Sequence, residues 1–107
     1  MRPEVVDYTD GLLPELAPEL LEVETISRAA DQRDGLEDIL GQLTEEELAQ
    51  VRAADQVLIR EAARLAPWWR REVAEDREEL GLARERWWWW LDQIADGTYP
   101  RELLPEA

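Results

Sequence analysis

Acidic side chains at helical spacing are the residues of this chain that come closest to a catalytic constellation. Glu72, Glu75, Asp76 and Glu79 fall on adjacent turns of a predicted helix. Carboxylates without histidine or cysteine suit Mg²⁺ or Mn²⁺ rather than Zn²⁺. Such a set would serve a magnesium-dependent all-α nucleotide hydrolase, and we keep this as the weaker alternative.

The residue types that activate nucleophiles are missing. The sequence contains no Cys and no His, and all of its basic residues are Arg. The single Ser and the two Tyr therefore have neither His nor Lys to activate them. We accordingly expect a non-enzymatic protein with no cofactor and no metal.

Two aspartates interrupt apolar stripes of predicted helices. Asp55 and Asp76 each occupy a position where the helical period places apolar residues. Pairing with an arginine such as Arg52 or Arg77 would satisfy either carboxylate. We interpret both aspartates as structural, either paired in this way or placed at a solvated end of the apolar stripe.

The run Trp87–Trp90 is the most unusual aromatic feature of the chain. Successive helical residues step by about 100°, so four tryptophans cannot share one face. In a continuous helix, Trp87 and Trp90 would face the core and Trp88 would flank it. Trp89 would lie on the far side, near Leu82. A neighbouring helix or the C-terminal tail could cover this ring, or a partner could bind it.

A second aromatic pair, Trp68-Trp69, is followed by Arg70-Arg71. Tryptophan and arginine dominate the binding energy of protein interfaces. We therefore expect a protein partner, and a second copy forming a homodimer is the simplest one. The predicted partner-binding residues are Trp68, Arg71, Leu82, Arg86, Trp88 and Trp89.

Charge is distributed unevenly along the 107 residues. The net charge is −14, and residues 1–50 carry 14 acidic but only 3 basic side chains. This field repels phosphate backbones and anionic lipids, so we expect neither nucleic acid nor a membrane as partner. The acidic array could instead mimic nucleic acid and block a basic nucleic-acid-binding protein, or it could be only a solvated face. Its members are Glu4, Asp7, Asp10, Glu15, Glu19, Glu22 and Glu24.

Helical periodicity predicts an all-α fold, a small bundle of three principal helices plus short turns. The helices are expected at about 18–33, 45–66 and 67–96. Asp34-Gly35 is expected to end the first helix. Thr44, with Glu47 three residues later, forms a predicted capping box at the start of the second.

The third helix contains Gly81, which is either tolerated inside one long helix or separates two helices. Gly97 is the expected C-terminal cap.

We expect a single helical domain over 1–107, with a flexible arm at 1–11 and a short C-terminal tail at 98–107. The N-terminus shows no apolar signal core, and the longest apolar run is too short to span a membrane. These features predict a soluble cytoplasmic protein.

Overall fold

A computed structural model describes residues 1–105, and its regular structure is helical throughout that range. No strand occurs among these residues, which confirms the all-α prediction. Within the same range, no helix is long and apolar enough to cross a membrane. The α-helices are α1 (Pro3–Val6), α2 (Val23–Ile39), α3 (Glu45–Arg60), α4 (Ala62–Glu72), α5 (Ala74–Glu79) and α6 (Leu91–Asp96). A count of three principal helices is not confirmed.

Contacts group the chain into two compact units, Met1–Asp55 and Gln56–Ala107, called here the first and second units. The boundary falls inside α3. The single domain predicted for 1–107 stays a prediction. The predicted tail at 98–107 contains a short 3₁₀ turn at Arg101–Leu103, and its last two residues lie outside the described range.

Residues 3–11 are helical, whereas the sequence predicts an arm without helical period over 1–11. They form α1 and a π turn at Asp7–Gly11, both in contact with α2. Pro3 suits the first helical position, because its φ is already helical and its missing N–H needs no partner there. Val5, Tyr8 and Leu12 are spaced three and four apart and are fully buried. This apolar stripe attaches the segment to the first unit.

Helix α2 begins and ends later than predicted. Residues 18–22 form a turn and irregular chain, and Glu22 has the extended backbone of an N-cap residue, with φ −132°. The helix then continues through Gly35, which was expected to end it. Glycine inside a helix costs about 1 kcal/mol relative to alanine. The neighbouring Leu36 is fully buried, and its packing outweighs that cost.

The predicted capping box at the start of α3 is confirmed. The Glu47 backbone N–H donates to Thr44 Oγ1 at 3.1 Å, and the Thr44 N–H donates to Glu47 Oε1 at 2.9 Å. The second Glu47 oxygen accepts the Arg2 N–H at 2.8 Å. One carboxylate therefore begins a helix and anchors the N-terminal segment.

Helix α3 ends at Arg60, six residues before its predicted end, and Pro67 lies inside α4 rather than at a helix start. Proline removes one helical hydrogen bond, to the carbonyl four residues earlier. Pro67 and Ala63 are both exposed, so water can bind that carbonyl. The proline is tolerated for this reason.

The single helix predicted for 67–96 is wrong. The chain instead forms the end of α4, then α5, an irregular segment at 80–86, a 3₁₀ turn at Trp87–Trp89 and α6. Gly81 has φ +59°, a left-handed conformation that ends a helix and that glycine adopts without a Cβ clash. The chain changes direction after α5, which allows α6 to pack on α4. Gly97, with φ +83°, is the predicted cap of α6.

Candidate functional site

All four tryptophans of the 87–90 run lie in the interior. Their exposed fractions are 3%, 2%, 5% and 6% in chain order. The helical wheel placed Trp89 on an outer face, but Trp87–Trp89 form a 3₁₀ turn, so α-helical angles do not apply to them. Trp87 and Trp88 meet edge to face, with centroids 5.6 Å apart and planes at 89°. This arrangement is favoured for aromatic pairs.

Two side chains from earlier helices hold the backbone of this turn. Trp69 of α4 donates its indole N–H to the Trp88 carbonyl at 2.8 Å. Arg77 of α5 donates to the Trp89 carbonyl at 2.9 Å and forms a buried bidentate pair with Asp92 of α6, at 2.7 and 3.1 Å. The tryptophan run is therefore built into the framework of the second unit.

The six residues predicted to bind a partner divide into buried and accessible groups. Trp88 and Trp89 are buried, so their rings offer almost no surface in this structure. Trp68, Leu82 and Arg86 are half-buried and Arg71 is exposed. Their partner-binding role stays a prediction, with the accessible four as its remaining candidates.

Arginines lie over several of the indole rings. The guanidinium carbon of Arg71 is 4.7 Å from the Trp68 ring centroid, and that of Arg86 is 5.8 Å from the Trp88 centroid. Arg71 also donates to Glu72 at 2.9 Å. Each stacking contact contributes about 0.5–2 kcal/mol, depending on how far it is desolvated. These arginines are thus engaged within the second unit.

The carboxylates of the hydrolase alternative do not gather. Glu75, Asp76 and Glu79 are exposed, and Glu72 is paired with Arg71. Within residues 1–105, no group of three or more acidic side chains is placed to hold a metal ion. Asp76 is also not the interior residue that the helical stripe suggested. The set therefore lacks the geometry on which this alternative depends.

Asp55 is buried and ion-paired, which is one of the two arrangements expected, but its partners are not the arginines that the sequence suggested. Arg33 of α2 donates to both of its oxygens, at 2.9 and 3.1 Å, and Tyr8 donates its hydroxyl at 2.6 Å. The expected partners were Arg52, which is exposed, and Arg77, which pairs with Asp92. No local signal identified Arg33 or Tyr8, because both lie more than 20 residues from Asp55 in the sequence.

Burial governs the protonation of this cluster. It raises the pKa of Asp55 above its ordinary value, although the hydrogen bonds and charge of Arg33 act in the opposite direction. Burial also raises the pKa of Tyr8, and the adjacent Asp55 carboxylate adds to this effect. The hydrogen bonds that Asp55 of α3 accepts from Arg33 and Tyr8 tie α2 and the N-terminal segment to α3.

The acidic array of the first unit is largely exposed. Six of its seven carboxylates face solvent, and the seventh, Glu15, is half-buried in an ion pair with Arg28. Two large apolar side chains lie among them: Leu20 is 54% exposed and Val23 is 47% exposed. The exposed surface of this part of the first unit therefore combines carboxylates with apolar side chains.

Comparison of the chain with protein-family models, curated proteins and solved structures gives no match. A functional proposal therefore depends on the chemistry of the residues described above.

Proposed function

We propose that this chain is a non-enzymatic protein–protein interaction module, a small acidic adaptor, inhibitor or accessory subunit whose partner has a basic surface. The observation that carries the proposal is the exposed acidic array of the first unit. Lysine and arginine of a partner would relieve the repulsion among these carboxylates. Nucleic acids and anionic membranes carry the same sign of charge and would be repelled.

The burial of Trp88 and Trp89 moves the emphasis of the proposal to the first unit. A ring with 2% or 5% exposure cannot anchor a partner unless the second unit rearranges. Trp68, Arg71, Leu82 and Arg86 are retained as a candidate second contact. Arginine stacked on tryptophan is a common component of interface hot spots.

A narrower form of the proposal is an acidic mimic that blocks a nucleic-acid-binding protein. The exposed carboxylates would then take the place of backbone phosphates on the partner's basic surface. This form requires that the chain and a nucleic acid compete for one site. A partner that binds both at once would exclude the mimic while leaving the interaction module in place.

The other partner considered is a second copy of the chain, which would form a homodimer. The effect of salt on association distinguishes a homodimer from a complex with a basic partner. Two copies, each with a net charge of −14, repel one another, so added salt strengthens their association. Binding to a basic partner weakens with salt. Sedimentation of the purified chain at low and high salt measures the first effect directly.

The proposal is tested by capturing partners from native lysate with three forms of the chain. These are the wild type, a first-unit variant lacking three exposed charges (Glu4→Gln, Asp7→Asn and Asp10→Asn) and a matched second-unit variant (Glu75→Gln, Asp76→Asn and Glu79→Gln). We expect partners with basic surfaces that are lost with the first-unit variant and at high salt, and retained with the second-unit variant. Capture of no protein, or of the same proteins by all three forms at both salt concentrations, contradicts the proposal.

A further inference from the structure

We propose that a groove of the first unit binds an extended basic segment of the partner protein, with an apolar side chain of that segment beside Leu20. This inference rests on the proposed function and specifies its binding site. The groove, called here the acidic groove, runs between the segment 7–15 and the face of α2. It consists of two cavities lined in part by Asp7, Glu15, Glu22, Glu24, Arg28 and Gln32.

The two cavities adjoin each other. One, of about 270 Å³, and the other, of about 160 Å³, share Glu15 and Arg28 in their walls. Glu24, Arg28 and Gln32 follow one another at spacings of four along α2, so they lie in a row on one helix face. The row spans about 12 Å at 1.5 Å per residue. An extended peptide of about four residues covers that distance, at about 3.3 Å per residue.

Charge selects a basic occupant. Asp7, Glu15, Glu22 and Glu24 line the groove against the single guanidinium of Arg28. That guanidinium is already paired with Glu15. The remaining carboxylates are exposed, so lysine or arginine of a bound segment can approach them from solvent.

An acceptor without a donor lies in the wall of the smaller cavity. Gln32 is half-buried, and its Oε1 accepts no hydrogen bond from any residue in the described part of the chain. This oxygen is enclosed, so a donor of the bound segment reaches it only after the Gln32 side chain turns toward the groove. Arginine and lysine side chains carry several N–H donors and no acceptor, and would then supply that donor.

One apolar side chain lies in the wall of the larger cavity. Leu20 is 54% exposed there, among the carboxylates of Glu15, Glu22 and Glu24. An apolar side chain of the partner would bury surface on Leu20. A phosphate backbone matches neither Leu20 nor the carboxylates. The occupant is therefore a protein segment with basic residues followed or preceded by one apolar residue.

Fluorescence anisotropy with a synthetic peptide tests the inference. The probe is a labelled peptide of about eight residues that alternates arginine with serine and ends in leucine, about twice the length needed to cover the row. A control peptide carries serine in place of the leucine. The protein forms are the wild type, Glu22→Gln/Glu24→Gln in the groove and Glu75→Gln/Glu78→Gln on the second unit. All four replaced carboxylates are exposed, so each double variant removes two surface charges.

We expect the groove variant to bind the probe about fivefold more weakly, since each exposed ion pair contributes a factor of up to about five. The second-unit variant should change the affinity less than twofold, and the control peptide should bind the wild type more weakly than the probe does. Circular dichroism verifies that each variant is folded. The control peptide gives an independent test, because it requires no protein variant.

Three results overturn the inference: a wild-type chain that does not bind the probe, equal weakening by both variants, or equal binding of the two peptides. Equal weakening would mean that the probe senses only the overall charge. None of these results contradicts the proposed function. That proposal fails on the two capture results given above: no captured protein, or the same proteins captured by all three forms at both salt concentrations. A captured partner whose binding survives Glu22→Gln/Glu24→Gln would locate the interface elsewhere.

Discussion

Replacing Tyr8 by phenylalanine removes one buried hydrogen bond and keeps the aromatic ring in place. The hydroxyl donates to Asp55 Oδ1 at 2.6 Å, and the ring is fully buried. Hydrogen bonds to charged groups contribute about 1.5–3 kcal/mol. Asp55 keeps both bonds from Arg33, so its charge stays compensated in the variant. We therefore expect Tyr8→Phe to lower the free energy of unfolding by about 2 kcal/mol.

Asp55→Ala should have a larger effect, on the order of 3–5 kcal/mol, because it leaves a buried guanidinium without its main partner. The Arg33 side chain would retain the longer contact to Glu37, at 3.5 Å. In the background of Asp55→Ala, the Tyr8 hydroxyl has lost its acceptor, so Tyr8→Phe should then cost much less. The expected coupling between the two sites is about 1.5–2 kcal/mol.

Urea denaturation followed by circular dichroism measures these free energies for the wild type, both single variants and the double variant. Tyr99→Phe is a comparison variant, because Tyr99 donates to the backbone carbonyl of Arg84 and not to a charge. Loss of this hydrogen bond should lower the free energy of unfolding by only about 1 kcal/mol. The reasoning is refuted if Tyr8→Phe changes the free energy of unfolding by less than about 0.5 kcal/mol, or if the two single effects simply add.

Three further predictions concern single positions. Arg77→Ala leaves Asp92 buried without its cation and should lower the free energy of unfolding by about 3–5 kcal/mol. Urea denaturation followed by tryptophan fluorescence measures this change, and a loss under about 1 kcal/mol would contradict the prediction. Gly81→Ala should destabilise the protein by about 1–2 kcal/mol, because φ is +59° at this position. Gly35→Ala lies inside α2 with open space around a Cβ and should stabilise the protein by about 0.5–1 kcal/mol. Thermal melts that show the opposite signs would refute this prediction. Hydrogen bonds from the backbone N–H groups of Thr44 and Arg2 hold the pKa of Glu47 below its ordinary value of 4.5. The contribution of Glu47 to stability is therefore present above pH 4.5, and it is lost as the pH falls through the lower pKa of the folded state. Glu47→Gln should flatten the acid side of the stability profile, and an unchanged profile would exclude this role.

Features set by neighbouring residues could be predicted from the sequence. Thr44 and Glu47 are three residues apart, and the capping box needs only that spacing and a following helix. The all-α class followed from helical periodicity in the same way. The roles of Gly35 and Gly81 were harder to predict, because each was a candidate helix end and only Gly81 adopts a positive φ. The packing of α6 on α4 requires a reversal, and that requirement is not visible in the local sequence.

Features set by distant residues could not be predicted. Arg33 and Asp55 are 22 residues apart on different helices, and nearer arginines were equally plausible partners. The helical wheel assigned Trp89 to an outer face because it assumed one continuous helix through Gly81. With the chain reversed, the carbonyl of Trp89 instead binds the buried Arg77. The candidate surface thus moved from the tryptophan run to the acidic residues of the first unit.

Hydrogen–deuterium exchange of the purified chain, alone and bound to its captured partner, shows where the partner binds. We expect the partner to slow exchange of backbone amides between residues 7 and 32, and salt sufficient to dissociate the complex to restore the original rates. Protection confined to residues 68–90, or protection that high salt leaves unchanged, would contradict an acidic interaction surface on the first unit.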